Sequence, residues 1–501
     1  MSKSNCRGPG ASYPYRLVTA ILVPLILAAC SAEDDDTTPL RVRSIATVLG
    51  LTGDPTTSRD LPSITDPKAQ LGMKLFFTRA LGGDFDAACA SCHHPALAGG
   101  DGMSLSIGVG AVDELVVGPG RTHPSGGPTI PRNAPTTFNS GLWDQVMYLD
   151  GRVESLDKLI NANGDPGVSN LGIVTPDSAE DESGNLLADP DAGDNLPMAQ
   201  SRFPVTETAF MRGSIFPSAD PTTAEVRSAL EVRLAEEDPN WTWGAEFTAT
   251  FGDAAITYAR IAEAIGEYER SQVFVNNTWK TFMDGDDAAI SEAARRGALL
   301  FMLPTRAEGA SCLSCHRGDR FTDERFHVLG MPQIGPGMGD GDTGTDDFGR
   351  FRVTGADEDM YAFRTPSLLN VTENGPWGHA GAYTTLEAVI RHHLDPQTAF
   401  DNYDINQLDA SIVSSGQTVD MQTNTQKALD KLAANRAAGL SLLPQVSLTD
   451  AEISDLIEFL KTLTDPCVTD RACLAPWIPD SAIADPDGLR LDAVDGTGNP
   501  L

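Results

Sequence analysis

The pentapeptide C-x-x-C-H occurs twice in this 501-residue chain, as Cys89-Ala-Ser-Cys92-His93 and as Cys312-Leu-Ser-Cys315-His316. In such a motif the two thiols add across the vinyl groups of a haem, and the adjacent histidine reaches the iron as its proximal ligand. The rival readings are a zinc site and a redox dithiol. Zinc wants four ligands gathered from paired C-x-x-C motifs, whereas here each pair is followed directly by histidine. The motifs therefore imply two covalently bound haem c groups, and a fold built around two large apolar cofactors.

The remaining cysteines agree with an exported protein. Lys3, Arg7 and Arg16 make a positive n-region, and Leu17 to Ala29 is an apolar run too short to span a bilayer comfortably. It ends Leu27-Ala28-Ala29-Cys30, which resembles a bacterial lipobox. Cleavage before Cys30 would leave that thiol to carry a lipid, and Ser31 after it implies sorting to the outer membrane, facing the periplasm or the cell surface. The alternative is an ordinary secretory signal with a chance cysteine. Cys6 leaves with the signal. Cys467 and Cys473 remain, and in an oxidising compartment they are expected to form a disulfide, two free thiols being the alternative.

The chain carries 70 acidic and 36 basic side chains, a formal charge of −34. Loss of the basic signal makes the mature protein more acidic still. Such a surface argues against nucleic acid and favours basic partners or plain solubility. The acidic runs Glu33 to Asp36, 177–195 and Asp340 to Asp347 read as solvated loops before they read as metal sites.

A weak internal repeat organises the rest. Gly72-x-x-Leu75-Phe76 precedes the first haem motif, and Gly297-x-x-Leu300-Phe301 precedes the second. Asp66-Pro67 and Ser291 are caps for helices there. Each half closes with an amphipathic helix, one carrying Tyr258, Ile261, Ile265 and Tyr268 on a single face, the other Leu456, Phe459, Leu460 and Leu463 after a cap at Thr449. Few segments alternate with period two. The expected fold is mostly α: two cytochrome c-like haem domains with long irregular loops. The expected division is a signal over 1–29, a tether over 30–60, haem domains over 61–283 and 284–465, and a tail over 466–501.

Several further motifs stand in a telling order: Arg132-Asn133-Ala134-Pro135-Thr136, Asp150-Gly151-Arg152, Phe203-Pro204-Val205-Thr206, Phe326-His327 with Pro332-Gln333, Phe363-Arg364-Thr365-Pro366-Ser367-Leu368, and Pro376-Trp377-Gly378-His379-Ala380-Gly381. With the two haem motifs they make residues 62–465 resemble the bacterial di-haem cytochrome c peroxidase and MauG family. The tail from Cys467 to Pro479, with Ala475-Pro476-Trp477, is similar to the MauG-like branch, which oxidises protein partners such as those of methanobactin systems. The resemblance implies a peroxidatic haem on His93 and a six-coordinate, electron-storing haem on His316. It also implies a calcium ion between the domains, on the side chain of Asn133 and the backbone carbonyls of Asn374 and Pro376, and a possible homodimer.

The chain departs from the family pattern at three places. The sixth ligand of the second haem, methionine in the peroxidases and tyrosine in MauG, falls on His393, with His392 or Met360 as alternatives. A bis-imidazole iron should have a lower reduction potential than a His/Met one. The tryptophan between the haems is replaced by Leu149, with Trp143 and Tyr148 nearby as substitutes or as core aromatics. The distal glutamate is replaced by Phe210, leaving Glu207 and His123 as candidate acid/base groups, His123 reading first as a loop histidine.

Two functions follow as expectations. The first is an enzyme that uses hydrogen peroxide, either reducing it with electrons from a small redox protein or using it to oxidise a partner protein. The second is a non-catalytic, membrane-anchored electron-transfer protein, which would need the His93 haem capped as well, for example by Met103 or His123.

Overall fold

The computed structural model describes residues 37–157, 171–214 and 220–501. The signal sequence and Cys30 lie outside these residues. Among the described residues no helix is long and apolar enough to cross a membrane.

Helices dominate, and strands are confined to two small antiparallel sheets, Val146–Met147/Val153–Ser155/Ile173–Val174 and Phe326–Val328/Ala362–Arg364. Each half is organised by a crossing of its first and last helices. Pro67–Phe77 packs against Tyr258–Arg270, and Glu292–Met302 against Asp450–Lys461. The repeated glycines sit at these crossings. A Cβ on Gly72 would stand 1.9 Å from the carbonyl oxygen of Ala264, and one on Gly297 1.9 Å from that of Asp455. Only a residue without a side chain lets the two backbones approach so closely.

Helix starts follow local chemistry. Thr449 and Glu452 form a reciprocal capping box, and Ser291 accepts from the Ala294 amide. Asp66 stands at the N-cap of Pro67–Phe77, but its carboxylate turns back to the Ser63 amide at 2.9 Å and does not cap.

One core gathers Ile64 through Phe274. It also takes Val468, Leu474, Ile478, Leu491 and Ala493 from the tail. The tail is thus a strap over the first half, paired to it by Leu491 N–H to Phe77 O at 2.7 Å and Val494 N–H to Leu115 O at 2.9 Å. The Cys467–Cys473 disulfide closes the start of this strap. A second core begins at Val275, Trp279 and Phe282, ahead of the expected boundary at 284, and runs to Leu463.

The stretch 37–60 corrects the expectation of a tether. Pro39–Val48 is a helix whose Val42 and Ala46 are fully buried in the second core. Arg59 is paired bidentately with Asp144 at 2.9 Å, both side chains buried, and Arg320 reaches the same carboxylate at 2.9 Å. Glu324 accepts the amides of Asp144, Gln145 and Val146. A solvated linker would not be drawn into a buried ion network of this kind.

Candidate haem-binding site

Both C-x-x-C-H motifs fold the same way. Cys89–Ser91 and Cys312–Ser314 are single 3₁₀ turns, and in each the histidine amide bonds the carbonyl of the first cysteine at 3.0 Å. This tight turn puts two thiols and one imidazole on one side. None of the four cysteines is in a disulfide. All six motif residues line one cavity of about 450 Å³ that runs between the two halves.

In the second half, His316 Nδ1 is held by the Phe321 carbonyl at 2.9 Å, and His393 Nδ1 by the Val389 carbonyl at 2.8 Å. Both Nε2 atoms are left for the cavity, and the two rings stand 6.5 Å apart, centre to centre. Two imidazoles on opposite sides of one metal, with bonds near 2.0–2.1 Å, hold their ring centres about 6.4 Å apart. Burial, with His393 close by, lowers His316 to about 4, so the imidazole is neutral and free to ligate. Burial likewise lowers His393. His392 is otherwise engaged: its Nδ1 meets Tyr383 Oη at 2.8 Å and its Nε2 the Leu329 carbonyl at 3.0 Å. Met360 packs beside Val328 and Leu432 in a separate cluster. His327 pairs with Asp323 at 2.9 Å. Burial alone would lower its pKa, but the carboxylate raises it to about 9 and keeps a positive charge beside Cys315.

In the first half, His93 is lowered by burial, and the carbonyls of Gly99 and Pro135 face its ring. Among the described residues no second imidazole stands to it as His393 stands to His316. Around it the cavity is walled by Met147, Tyr148, Leu149, Gln200, Pro204, Phe210 and Met211. Phe210 and Met211 come from a one-turn π-helix, Thr208–Arg212, a device that re-aims side chains at functional sites. Three successive amides of that turn bond the Glu207 carbonyl. This fixes Glu207 at the outer end of the turn with its side chain exposed, so the expectation that it enters the site is not met. His123 is also outside: its Nδ1 meets Ser125 Oγ at 2.7 Å in a surface loop, and it does not line the cavity.

The sequence reading missed Glu269, the only carboxylate among the described residues that lines the cavity. It stands on the Tyr258–Arg270 helix near Cys89, fully buried, and burial pushes its pKa up to about 8. Its place four residues after Ile265, on the face that packs towards the haem motif, was a signal that could have been used. Arg364 was missed as a ligand too. It lines the cavity with Nη1 buried and unpartnered, lowered by burial to about 10, and its guanidinium lies 3.6 Å from the centre of the Trp143 ring. Its Nε donates to the Tyr148 carbonyl at 2.9 Å, which leaves the buried Nη1 to fit an anionic group such as a haem propionate.

The halves are joined by Arg132, which takes Asp347 bidentately at 2.7 and 2.8 Å and Asp150 at 2.7 Å. Burial would raise Asp347, but Arg132 holds it near 2. Phe363 lies under this guanidinium and stacks on His379 at 4.1 Å. Beside it, Asn133 and Asn374 border a polar cavity of about 10 Å³ together with Asp101. Asn374 Oδ1 and Asp101 Oδ2 are buried without partners, and burial raises Asp101 to about 6. Pro376 lines the large cavity instead.

A chain with two such cysteine–histidine turns opening on one apolar cavity is a di-haem c-type protein. The family model described as "Di-haem cytochrome c peroxidase" matches residues 66–288. The chain is 26% identical over 332 residues to the methylamine utilization protein MauG of Methylophilus methylotrophus, covering 66% of this chain and 73% of that one. It is 23% identical over 322 residues to the cytochrome c551 peroxidase of Nitrosomonas europaea, covering 64% and 71%. Among solved structures, a MauG-like protein associated with microbial copper homeostasis matches with a TM-score of 0.52 at 21% identity, covering 85% of this chain and 98% of that one. The diheme peroxidase BthA from Burkholderia thailandensis matches at 0.50 and 19%, covering 87% and 92%. Over residues 66–288 the chain is similar to the di-haem cytochrome c peroxidase and MauG family, which implies two haem c groups, and these likenesses are those of a di-haem peroxidase-like oxidoreductase.

Proposed function

We propose that this protein reduces hydrogen peroxide in the His93 compartment and draws the electrons from a partner protein, in the manner of MauG. The observation that carries this reading is the inequality of the two compartments. His316 is matched by His393 across the cavity, whereas the cavity wall around His93 is of aliphatic, aromatic, thioether and amide side chains. The closed compartment suits storage of an electron hole, and the imidazole in place of a thioether favours the oxidised state. The unmatched one suits binding of a small oxidant.

His93 and His316, with Cys89, Cys92, Cys312 and Cys315, would hold the two haems, and Arg364 would bond a propionate. Bound there, haem iron supplies the electron chemistry of O–O cleavage. Heterolysis also needs a group that takes a proton from one peroxide oxygen and returns it to the other. With Phe210 in the usual place of the acid and Glu207 outside, Glu269 is the carboxyl that can hold that proton at neutral pH. Gln200 supplies a neutral amide in the same cavity wall.

The small cavity of Asn133, Asn374 and Asp101 supports a calcium ion between the halves, because Asp101 Oδ2 and Asn374 Oδ1 are buried there without partners and calcium takes oxygen ligands. The lipobox at Cys30 supports an outer-membrane lipoprotein facing the periplasm.

The test is to mix the di-ferric holoprotein with one equivalent of peroxide and follow its optical spectrum. Direct reaction to a long-lived oxidised state is expected. Reaction only after one haem has been reduced would show a peroxidase fed by a small redox protein. No reaction in either redox state would overturn the enzyme and leave an electron carrier.

A further inference from the structure

We propose that Trp477, on the C-terminal strap, is the point at which oxidising equivalents leave the His93 compartment for a partner. The proposal rests on the peroxide chemistry argued above.

Two lines of contact lead from the cavity to this residue. Phe138 lines the cavity and stands 4.3 Å from Phe274, and Phe274 meets the Trp477 ring edge-on at 4.9 Å. Phe76 also lines the cavity and stands 5.0 Å from Tyr268, whose hydroxyl donates to the Trp477 carbonyl at 2.7 Å. Phe76, Phe138, Tyr268 and Phe274 are all buried, while Trp477 reaches the surface. The strap around it presents exposed, uncharged Ala472, Ala475 and Pro476, and the Cys467–Cys473 disulfide anchors its start.

The chemistry selects Trp477 along this path. Phenylalanine is too hard to oxidise to rest as a radical and serves only as a bridge. Tyr268 gives its proton to a carbonyl, which is no base, so its oxidation is opposed. Trp477 can lose an electron and keep its indole N–H, which donates to Ser271 Oγ at 3.1 Å. Trp143 lines the cavity directly, but the Arg364 guanidinium 3.6 Å from its ring centre opposes a second positive charge there. Each transfer moves one electron from Trp477 inward, and the partner returns one electron to the indole. Two transfers supply the two electrons that, with two protons, convert one hydrogen peroxide to two waters. Without a partner, the same two electrons come from the indole itself: it gains one oxygen from water and loses two protons, so that tryptophan and peroxide give hydroxytryptophan and water.

The experiment is peptide mapping by mass spectrometry after the holoprotein has turned over peroxide with no partner present. Trp241 is the internal control, because it is also half-exposed but, among the described residues, meets no aromatic ring, whereas Trp477 meets Phe274. Oxygen addition at Trp477 well above that at Trp241 is expected. In F274L, which keeps the tryptophan but removes the bridging ring, the excess should fall. In W477F the tryptophan radical signal of the peroxide-treated protein, read by electron paramagnetic resonance, should disappear. Peroxide consumption with oxidation at Trp143 or Trp377 instead, or with Trp477 no more oxidised than Trp241, would overturn the exit route alone. No peroxide consumption would overturn the underlying function and the route with it.

Discussion

The imidazoles of His316 and His393 face each other across the second compartment with ring centres 6.5 Å apart, each pinned through Nδ1 to a backbone carbonyl. The pinning matters as much as the distance. It fixes the tautomer, so that both Nε2 atoms are available to one metal. Replacing His393 with methionine should raise the reduction potential of the second haem by an amount on the order of 0.1 V, a fraction of the span that axial ligands set. A spectroelectrochemical titration reads this shift. The same substitution at His392 should leave the potential nearly unchanged and should cost stability instead, because it deletes two buried hydrogen bonds.

Glu269 should set a pH dependence. Its carboxyl has an ordinary value of 4.5, and burial pushes it up to about 8 in the folded chain. Between these values the folded state holds a proton that the unfolded state has lost, so stability falls as pH rises from 4.5 to 8 and is then flat. Glu269→Gln should remove that slope and be more stable than the parent above pH 8, as thermal melts across the range will show. The same change should slow peroxide reduction roughly a hundredfold or more, the usual contribution of a general acid/base group.

The helix crossings admit no side chain at their glycines. Gly72→Ala and Gly297→Ala would each drive a methyl group into a backbone carbonyl, at 1.9 Å before relaxation. Each should cost about 3 kcal/mol or more, since backbone on both sides must move. Denaturant melts of the two variants give the values. A loss under 1 kcal/mol would mean that the helices slide apart freely.

Arg132 binds Asp347 and Asp150 where the halves meet. Arg132→Ala leaves buried Asp347 without its cation and Asp150 with Arg152 alone at 3.3 Å, and should cost about 3–5 kcal/mol. The loss should be greatest at neutral pH. Asp347 is held near 2, below its ordinary value of 3.8, so its share of the stability is present above 3.8 and is lost as pH falls towards 2. Chemical denaturation at two pH values checks both statements.

Much of this was legible in the sequence where a residue type is tied to one covalent or packing role. The C-x-x-C-H turns, the repeated glycines and the capped helices follow from local chemistry. Trp143, Tyr148, Leu149 and Phe210 all line the cavity that their order along the chain suggested. What the sequence could not supply was direction. Glu207 and His123 have suitable chemistry, but a π-turn points one outwards and a Ser125 hydrogen bond keeps the other in a loop. Glu269 hides in a helix whose charged residues otherwise face solvent or ion-pair partners, and only the fold shows it aimed inwards. The 37–60 segment reads as a tether from its place between the lipobox and the first haem domain, although Val42, Ile45, Ala46, Leu49 and Leu51 carry the apolar face that the second core buries. The wrap of the tail over the first core depends on backbone pairing between residues some 400 positions apart, which no local pattern records.

The central claim is that one haem compartment is closed by two imidazoles and the other is left open for peroxide. Low-temperature electron paramagnetic resonance of the purified di-ferric protein tests it most directly. One high-spin signal from the His93 haem and one low-spin bis-imidazole signal from the His316 haem, in equal amounts, is the predicted result. Two low-spin signals, with no high-spin iron at any pH between 6 and 8, would contradict it.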